Sequence, residues 1–519
     1  MPRLQRALYA ALLVARVLLS VLPGYIHPDE FFQGPEIAAS DILHTTALRT
    51  WEFTSSAPVR SIVPIYAFAG PPMLALRMLG VQPTAWRVFA GSRVFMALLS
   101  LAVDAGVYRA IKGRRCARPT MLALASSYCL AVFHVHTFAN AFASAVLAAC
   151  FGQLARIADG RGRGSLAVLG GGLALGTFTH VSFPMFAVPL GVAALIARRG
   201  ELARSVARMA AGGVLVAAAI VAADSAYYGG QWPTLTVANN LAYNTRRDNL
   251  AQHGIQPRYM HALVNVPLLF GPLCLVVRRP RGLVEMAAAA SAVTGVALLS
   301  VAPHQEARFL LPALPALAIC ARPRGRLFWC AWAAFNAALF VVFGALHQAG
   351  VVPVVTHLAQ SVWRAAAQCH VVGADALCAP AAAAAASAIV PPPGLALTTT
   401  VLLVATYMAP RHLLAQTADA TARVTLVDLV GMDYAQVSRR IGDSVLVNAT
   451  LAQSSVAAAA ATANHVLTLV VVPGSVNIER IAPPESNYHL IPVFRYAPHV
   501  NLDHMAETLQ HPFRSSNLN

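Results

Sequence analysis

Two adjacent carboxylates, Asp29 and Glu30, follow the first apolar segment of the chain, and His27 and Gln33 flank them. A carboxylate at a membrane boundary can remove a proton from a hydroxyl group as a general base. The same acids could instead lie in a solvated loop, or begin a helix at its positive dipole end. The pair is therefore a candidate catalytic site with a structural alternative.

A second polar cluster, which contains Glu306 and Arg308, lies in the sequence HQEARFLLP (304–312) at another boundary of an apolar segment. The planar guanidinium of Arg308 suits a phosphate group, because it can donate two parallel hydrogen bonds. An internal salt bridge between Glu306 and Arg308 is the structural alternative. A third region, 224–260, is rich in Asn, Tyr, His and Arg, which suit sugar hydroxyls but also occur in ordinary solvated loops.

The composition of the chain indicates that these polar clusters belong to a membrane protein. The chain has 519 residues, of which 57% are hydrophobic and 11% charged, whereas a soluble domain has about 25% charged residues. This composition excludes an ordinary soluble enzyme, a disordered protein and a disulfide-stapled secreted module. The net charge of +17 comes from short arginine runs between apolar segments, which is typical of membrane topology rather than of nucleic-acid binding.

The apolar pattern predicts about eleven transmembrane helices. The first is an uncleaved helix with a cytosolic N-terminus, because no small-residue cleavage site precedes Tyr25 and Arg16 interrupts the run. The others lie at about 88–108, 120–136, 140–157, 165–179, 183–197, 208–223, 261–278, 283–302, 308–321 and 327–346. Five arginine-rich connections then fall on the cytosolic side, as the positive-inside rule requires, at 109–118, 156–163, 198–204, 278–281 and 322–326.

We divide the chain into a multi-span domain, 1–346, and a luminal region, 347–519. The first domain has luminal loops at 24–87 and 224–260. Within the first loop, 61–80 is apolar but broken by prolines, which predicts a re-entrant or juxtamembrane helix pair on the luminal side.

The luminal region is predicted to form a small α/β domain joined by Ala- and Pro-rich linkers. Its β-branched runs predict strands in GLALTTTVLLVATYMAP (394–410), RVTLVDL (423–429), SVLVNA (444–449) and HVLTLVVVPGS (465–475). Asn448 lies in a glycosylation sequon. Cys369 and Cys378 could pair in an oxidising compartment or stay free.

HPDEFFQGPE (27–36) and HQEARFLLP, in a protein with many predicted spans, resemble the dolichol-phosphate-mannose-dependent α-mannosyltransferases of the endoplasmic reticulum. These are members of glycosyltransferase family 22 with the GT-C fold. Within the family, NLAQHG (249–254), Pro257-Arg258 and NVPLLFGP (265–272) are similar to the GPI mannosyltransferase 4 group, and TYMAPR (406–411) resembles it more loosely.

The chain departs from this family at two places. Ala139 and Ala143 stand where relatives carry a serine and a glutamate, although Asn140 remains. Thr179-His180-Val181 stands where an Arg-Pro-Thr pattern is common. These differences concern acceptor contacts more than the basic reaction.

The resemblance implies transfer of mannose from dolichyl phosphate mannose to a mannose 2-hydroxyl of the GPI-anchor precursor, with inversion, on the luminal face of the membrane. Asp29 would be the general base, and Glu30 would orient it or the acceptor. His27 and Gln33 would hold sugar hydroxyls, while Arg308 would stabilise the phosphate. The remaining substrate-binding candidates implied by the resemblance are His304 and Glu306, which would fix Arg308, together with Asn140, Asn249, His253 and Arg258.

The lipid-linked donor requires no nucleotide, and the sequence has neither a P-loop nor a DxD motif. No metal site is predicted, although an acid pair could bind Mg²⁺ loosely. Addition of the third GPI mannose, or of a mannose on a lipid-linked oligosaccharide, uses the same chemistry and is the enzymatic alternative. A polytopic transporter and a non-catalytic membrane subunit are the alternatives from other classes, but we find no internal repeat to support a transporter.

Overall fold

The computed structural model describes residues 2–160, 164–230, 232–246, 248–249, 254–369, 397–404, 406–415, 422–429, 432–443, 465–472, 481, 500 and 502. In these residues the protein is a bundle of apolar helices with a small parallel sheet near its C-terminal end. The helices that are long and apolar enough to cross a membrane are Ala85–Ile111, Ala139–Ala158, Arg199–Tyr228, Leu283–Val301 and Arg326–Leu346. Shorter apolar helices are Ser165–Thr179, Phe183–Ala197, Met260–Val276 and Val351–Gln360.

The polytopic helical prediction is confirmed, while the count of about eleven spans stays a prediction. The N-terminal helix Pro2–Leu19 agrees with the first predicted span. The predicted span at 120–136 is divided between the helix Ala117–Ala125 and a π-helical turn, Cys129–Phe133. Three of the apolar helices are divided further. Arg199–Tyr228 consists of the 3-10 turn Arg199–Glu201 and the helix Leu202–Tyr228, and Arg326–Leu346 consists of the helix Arg326–Val341 and the π-helical turn Val342–Leu346. Met260–Val276 consists of Met260–Asn265, Val266–Phe270 and Gly271–Val276, and Ala313–Cys320 is a further short helix.

Short helices build the two loops that were predicted to be luminal. The first loop contains Asp29–Phe32, Pro35–Leu43, Trp51–Thr54, Ile62–Phe68 and Gly70–Met78, and the second contains Thr236–Asn244. The last two helices of the first loop form the pair predicted for 61–80. Pro71 and Pro72 lie in the first turn of Gly70–Met78, where proline is tolerated because its missing N–H would have no helical partner.

Small residues set the closest helix contacts. A Cβ atom added to Gly106 would lie 2.1 Å from the carbonyl oxygen of Ala148 on the neighbouring helix. A Cβ atom on Gly170 would lie 1.9 Å from the carbonyl oxygen of Met209. Close backbone approach at small residues is the usual source of helix association in a bilayer, where the hydrophobic effect between helices is absent.

Arg16, which interrupts the first apolar run, is explained by an ion pair. Its Nη1 lies 2.6 Å from Oδ2 of Asp104 on the helix Ala85–Ile111, and the hydroxyl of Tyr9 donates to the same carboxylate at 3.0 Å. Both charged side chains are buried. Pairing lowers the energetic penalty of two charges inside a helix bundle and anchors the first helix.

The sheet confirms three of the predicted strands. β1 (Leu397–Leu403) lies between β2 (Ala422–Asp428) and β3 (His465–Val471), and both pairings are parallel. Val401 and Leu403 line one small cavity together with Val355 and Leu358 of the helix Val351–Cys369.

Leu402 and Val404 form a buried cluster with Val437 and Ile441 of the helix 434–443. Alternate residues of a strand face opposite sides of a sheet, so helices cover both faces of β1. The luminal position of this unit and its boundary at 347 stay predictions. The predicted strand 444–449, Asn448, Cys378 and the side chain of Cys369 lie outside the described residues.

Candidate active site

The two polar motifs predicted from the sequence meet in the folded chain. Asp29 begins the short helix Asp29–Phe32, and Arg308 lies in the 3-10 turn Ala307–Leu310. Oδ2 of Asp29 is 2.6 Å from Nη2 of Arg308. The structure therefore places the proposed base beside the proposed phosphate-binding group.

Arg308 is 6% exposed and is shared by two carboxylates. Its Nε atom contacts the Glu306 carboxylate, while Nη2 contacts Asp29. The guanidinium carbon lies 5.9 Å from the centroid of the Phe138 ring and 5.2 Å from that of Phe309. No described residue accepts a hydrogen bond from the third nitrogen, Nη1. The Glu306–Arg308 salt bridge considered as an alternative does form, but it includes Asp29 and leaves a donor for a further anion.

Two histidines complete this cluster. Nδ1 of His27 accepts the backbone N–H of Asp29 at 3.2 Å, and its Nε2 lies 3.7 Å from Oε1 of Glu306. His304 donates from Nε2 to the same oxygen at 2.8 Å, and its Nδ1 lies 3.1 Å from the carbonyl oxygen of Gly254. Both ring nitrogens of His304 therefore face acceptors, which suits an imidazolium ion.

The charges of the cluster are mutually stabilising. Burial alone would raise the pKa of Glu306, but Arg308 and His304 hold it well below its ordinary value. Burial would lower the pKa of His304, but its hydrogen bond to Glu306 raises it instead. Asp29 follows the same rule as Glu306, since burial raises its pKa while Arg308 and His27 lower it overall. A lowered pKa favours the ionised form of Asp29 and makes it a weaker base.

Glu30 points away from this cluster. It is fully buried and pairs with Arg93 of the helix Ala85–Ile111, while Nε2 of His136 lies 3.7 Å away. Arg93 also donates to the carbonyl oxygen of Gly24 at 2.9 Å. Burial raises the pKa of Glu30 to about 7, although Arg93 opposes this shift. This geometry favours a positioning role, in which Glu30 holds the helix that carries Asp29.

Gln33 lies one turn after Asp29 and connects to two residues that the sequence reasoning missed. Its amide donates to Oε1 of Glu52 at 3.3 Å, and Nε of Arg60 lies 2.9 Å from the same oxygen. Arg60 also contributes to lowering the pKa of Asp29. Arg60 and Arg308 are both arginines on the predicted luminal side, where the positive-inside rule predicts few cations. That departure from the rule is a signal that could have identified Arg60.

His180 is a further residue near the site. Its ring packs 5.7 Å from that of Phe309, and its Nδ1 lies 2.8 Å from the hydroxyl oxygen of Ser182. Burial lowers its pKa to about 3, with Arg60 and Arg308 adding to this effect. A neutral imidazole therefore lies beside the charged cluster, at the position where the family resemblance showed a departure.

The other predicted substrate-binding residues are less closely connected. Asn140 is buried in the first turn of the helix Ala139–Ala158, and its Oδ1 has no hydrogen-bond partner among the described residues. Asn249 donates to the carbonyl oxygen of Tyr243 at 3.1 Å. Arg258 is exposed, and His253 lies outside the described residues.

The structure nevertheless brings the second loop to the cluster. The backbone N–H of Gln256 donates to the carbonyl oxygen of Pro303 at 2.7 Å, and that of His261 donates to the Gln305 side chain at 2.9 Å. These bonds join the segment that contains Arg258 to the segment that contains Arg308. In the part of the chain that the structure describes, no group of three or more His, Cys, Asp or Glu residues is arranged to hold a metal ion.

Comparison with known proteins supports the family resemblance. GPI mannosyltransferase 4 of Emericella nidulans is 32% identical, covering 96% of this chain and 93% of that protein. GPI alpha-1,2-mannosyltransferase 4 of Homo sapiens is 33% identical, covering 82% of this chain and 79% of that protein. Among solved structures, ArnT from Cupriavidus metallidurans bound to undecaprenyl phosphate has a TM-score of 0.49 at 16% identity, covering 70% of this chain and 71% of that one. Residues 7–373 match the Alg9-like mannosyltransferase family model, and the chain belongs to this family.

Proposed function

We propose that the chain is an α-1,2-mannosyltransferase that adds the fourth mannose to the GPI-anchor precursor. The donor is dolichyl phosphate mannose, and the reaction takes place on the luminal face of the endoplasmic reticulum membrane. The contact of 2.6 Å between Asp29 and Arg308 carries this proposal, because it joins a carboxylate base to a phosphate-binding cation. The names of the two GPI mannosyltransferase relatives support the choice of acceptor.

Inversion at the sugar carbon requires one general base. The acceptor hydroxyl gives its proton to Asp29 while its oxygen forms a bond to C1 of the mannosyl group. The bond from C1 to the phosphate oxygen breaks, and its electron pair leaves with dolichyl phosphate. Arg308 stabilises the negative charge that develops on this leaving group, through preorganised donors in a largely buried site.

Donor binding activates the base. In the ligand-free protein Arg308 lowers the pKa of Asp29, which keeps the carboxylate ionised but weakly basic. The donor phosphate competes for the same guanidinium, so it weakens the Asp29–Arg308 ion pair. The pKa of Asp29 then rises, because a nearby cation is what held it down. Base strength therefore increases only when the donor is in place.

Sugar hydroxyls are bound around this pair. Gln33 lies one helical turn after Asp29, and its amide donates to the Glu52 carboxylate. Both groups can hold the acceptor mannose. Oδ1 of Asn140, which has no hydrogen-bond partner among the described residues, can accept a hydrogen bond from a sugar hydroxyl. Asn249, His253 and Arg258 belong to the second loop, which we assign to the remainder of the acceptor glycan.

The membrane arrangement follows from the same assignment. The polyprenyl chain of the donor lies among the apolar helices, within the bilayer. The N-terminus is cytosolic and the C-terminal region luminal, which places the arginine-rich connections in the cytosol. The Asp29–Arg308 pair then lies on the luminal side, where dolichyl phosphate mannose would be consumed.

A transfer assay tests this function. Microsomes that contain the protein, from a host without its own fourth GPI mannosyltransferase, receive radiolabelled dolichyl phosphate mannose. We expect label in a four-mannose precursor with the wild-type protein and with Asp433→Asn, which alters an exposed helix cap. We expect none with Asp29→Asn. Label in a different mannosylated lipid would replace the acceptor, and no labelled lipid at all would refute a catalytic role.

A further inference from the structure

The first motif contains a third acid that the mechanism does not use. Glu36 is fully buried, and its Oε2 accepts the backbone N–H of Leu48 at 2.9 Å. Its Oε1 accepts the backbone N–H groups of Arg411 and His412. Nδ1 of His412 lies 3.1 Å from the same oxygen. A buried carboxylate is unfavourable unless it is hydrogen-bonded, and two of these donors come from the C-terminal region.

We define the docking segment as Tyr407–His412. Three residues, 404–406, connect it to the end of the central strand β1. Further contacts join it to the start of the chain. The hydroxyl of Tyr25 donates to the carbonyl oxygen of Met408 at 3.0 Å. The rings of Phe31 and His412 lie 5.9 Å apart.

The docking segment is also held by the residues that follow the last predicted span. Oε1 of Gln348 accepts the backbone N–H of Tyr407 at 3.4 Å. Gln348 is 1% exposed and has φ of +50°. A non-glycine residue keeps such a conformation only when surrounding contacts hold it, so this junction is a specific one.

Tyr407 reaches the active site through this docking. Its ring packs edge-on against Tyr25, with centroids 5.2 Å apart, and lies 5.6 Å from the ring of His347. The ring of His27 lies 6.5 Å from it on a third side. His27 in turn accepts the backbone N–H of Asp29. Contacts on three sides thus fix a tyrosine of the C-terminal region beside the histidine that orients the base.

We propose that the C-terminal α/β unit forms one wall of the active site. Glu36 docks this unit, and Tyr407 is a positioning residue that holds His27 and, through it, Asp29. This inference rests on the proposed function, since it assigns Tyr407 to the same reaction. It explains why one short motif contains both Asp29 and Glu36: the first serves the chemistry and the second attaches the wall.

A double-mutant cycle tests the role of Tyr407. In the full-length protein, Tyr407→Ala removes the aromatic contact, and we expect kcat to fall about 3- to 10-fold, with the donor KM within about twofold. Tyr407→Phe keeps the ring and should retain most of the activity. Because Tyr407 acts through His27, adding Tyr407→Ala to His27→Ala should reduce kcat by less than about twofold more. Losses that multiply, or full activity of Tyr407→Ala, would overturn the assignment.

Glu36→Gln tests the docking independently of catalysis. The substitution keeps the size of the side chain but removes the charge that accepts the N–H groups of the docking segment. We expect faster proteolytic cleavage of the C-terminal unit in the folded full-length protein, and a fall in kcat like that of Tyr407→Ala. Asp433→Ala is the control, because Asp433 accepts the backbone N–H of Gln436 within the unit and does not touch Glu36.

The two kinds of failure can be told apart. Wild-type cleavage and activity in Glu36→Gln would refute the docking role even if mannose transfer is established. Absence of transfer by the wild-type protein would refute the proposed function, while the cleavage comparison would still report on docking. The amount of folded protein is measured by size-exclusion chromatography, and every rate is divided by this amount. A lower yield of a variant is therefore not mistaken for a lower kcat.

Discussion

Asp29→Asn should move donor binding and turnover in opposite directions. Asparagine keeps the size of the side chain but cannot act as a base and carries no charge for Arg308. In the proposed mechanism, the donor phosphate competes with Asp29 for the guanidinium of the wild-type protein. In the variant, the side chain at position 29 is neutral and binds the guanidinium of Arg308 more weakly. The phosphate therefore has less competition for Arg308.

The magnitudes follow from the structure. Asp29 and Arg308 are 2.6 Å apart, but the Asp29 side chain is 25% exposed, so solvent screening reduces the strength of the pair to about 1 kcal/mol. Removing that competition should tighten dolichyl phosphate binding about fivefold. Loss of a general base lowers kcat by about 10²- to 10⁴-fold. The variant should therefore bind the lipid phosphate better and transfer mannose far more slowly.

Purified protein in lipid nanodiscs allows both measurements. Dolichyl phosphate binding is measured by displacement of a labelled donor, and transfer is measured in single turnover with excess enzyme. Asp433→Asn is the matched control, because it changes an exposed acid that accepts the backbone N–H of Gln436 and takes no part in the Asp29–Arg308 cluster. Weaker lipid phosphate binding by Asp29→Asn would show that Asp29 supports Arg308 rather than competing with the donor. Transfer within tenfold of wild type would show that another group is the base.

Further predictions concern the charges of the site and the packing of the helices. Arg308→Lys keeps the charge but loses at least one charge-assisted hydrogen bond of about 1.5–3 kcal/mol, so kcat should fall about 10- to 150-fold at normal abundance. In the wild type, the lowered pKa of Glu306 adds to the free energy of unfolding at pH values above 4.5, the ordinary pKa of this group. This contribution is lost as the pH falls below 4.5 towards the pKa of the folded protein. The melting temperature of the wild type should fall between pH 6.5 and 3.5 for this reason, and that of Glu306→Gln should fall less over the same range. Gly106→Val would place side-chain atoms against the Ala148 carbonyl, so the melting temperature and yield should fall, at a cost of about 1–3 kcal/mol.

Matched substitutions control these experiments. Arg279→Lys changes an exposed arginine outside the site and should leave kcat unchanged. Gly282→Val changes a glycine with extended backbone, and no atom of the described residues lies within 4 Å of an added Cβ, so the variant should preserve the melting temperature. Wild-type turnover in Arg308→Lys would point to a purely structural ion pair. An unchanged pH profile in Glu306→Gln would show that other groups control acid stability, and a stable Gly106→Val would show that the two helices can separate.

The site balances cations against anions. Arg308 and His304 lie against Asp29 and Glu306, and each charge is stabilised by an opposite one. A bound phosphate adds a negative charge to this set, and only Arg308 has a donor that no described residue occupies. In the proposed mechanism, the phosphate weakens the contact between Arg308 and Asp29. By this proposal, the Asp29–Arg308 ion pair links donor binding to activation of the base.

Local sequence patterns were enough to predict much of this protein. Its apolar runs and scarcity of charge indicated a helical membrane protein, and its β-branched runs located the three described strands. Prolines at 71 and 72 indicated the broken helix pair. The Asp29 and Arg308 motifs were recognisable because their residue types suit a base and a phosphate ligand. Each of these signals depends on residues close together in the chain, where composition and periodicity are informative.

Contacts between distant residues were not predictable in this way. Asp29 and Glu30 are neighbours, yet a helix turns about 100° per residue, so one faces Arg308 and the other faces Arg93 in the interior. The docking of Glu36 onto the segment near residue 411 likewise joins two ends of the chain. No local pattern specifies which buried acid meets which cation or backbone donor. That choice depends on how the helices pack, because a charge is tolerated in the interior only where the fold supplies its partner.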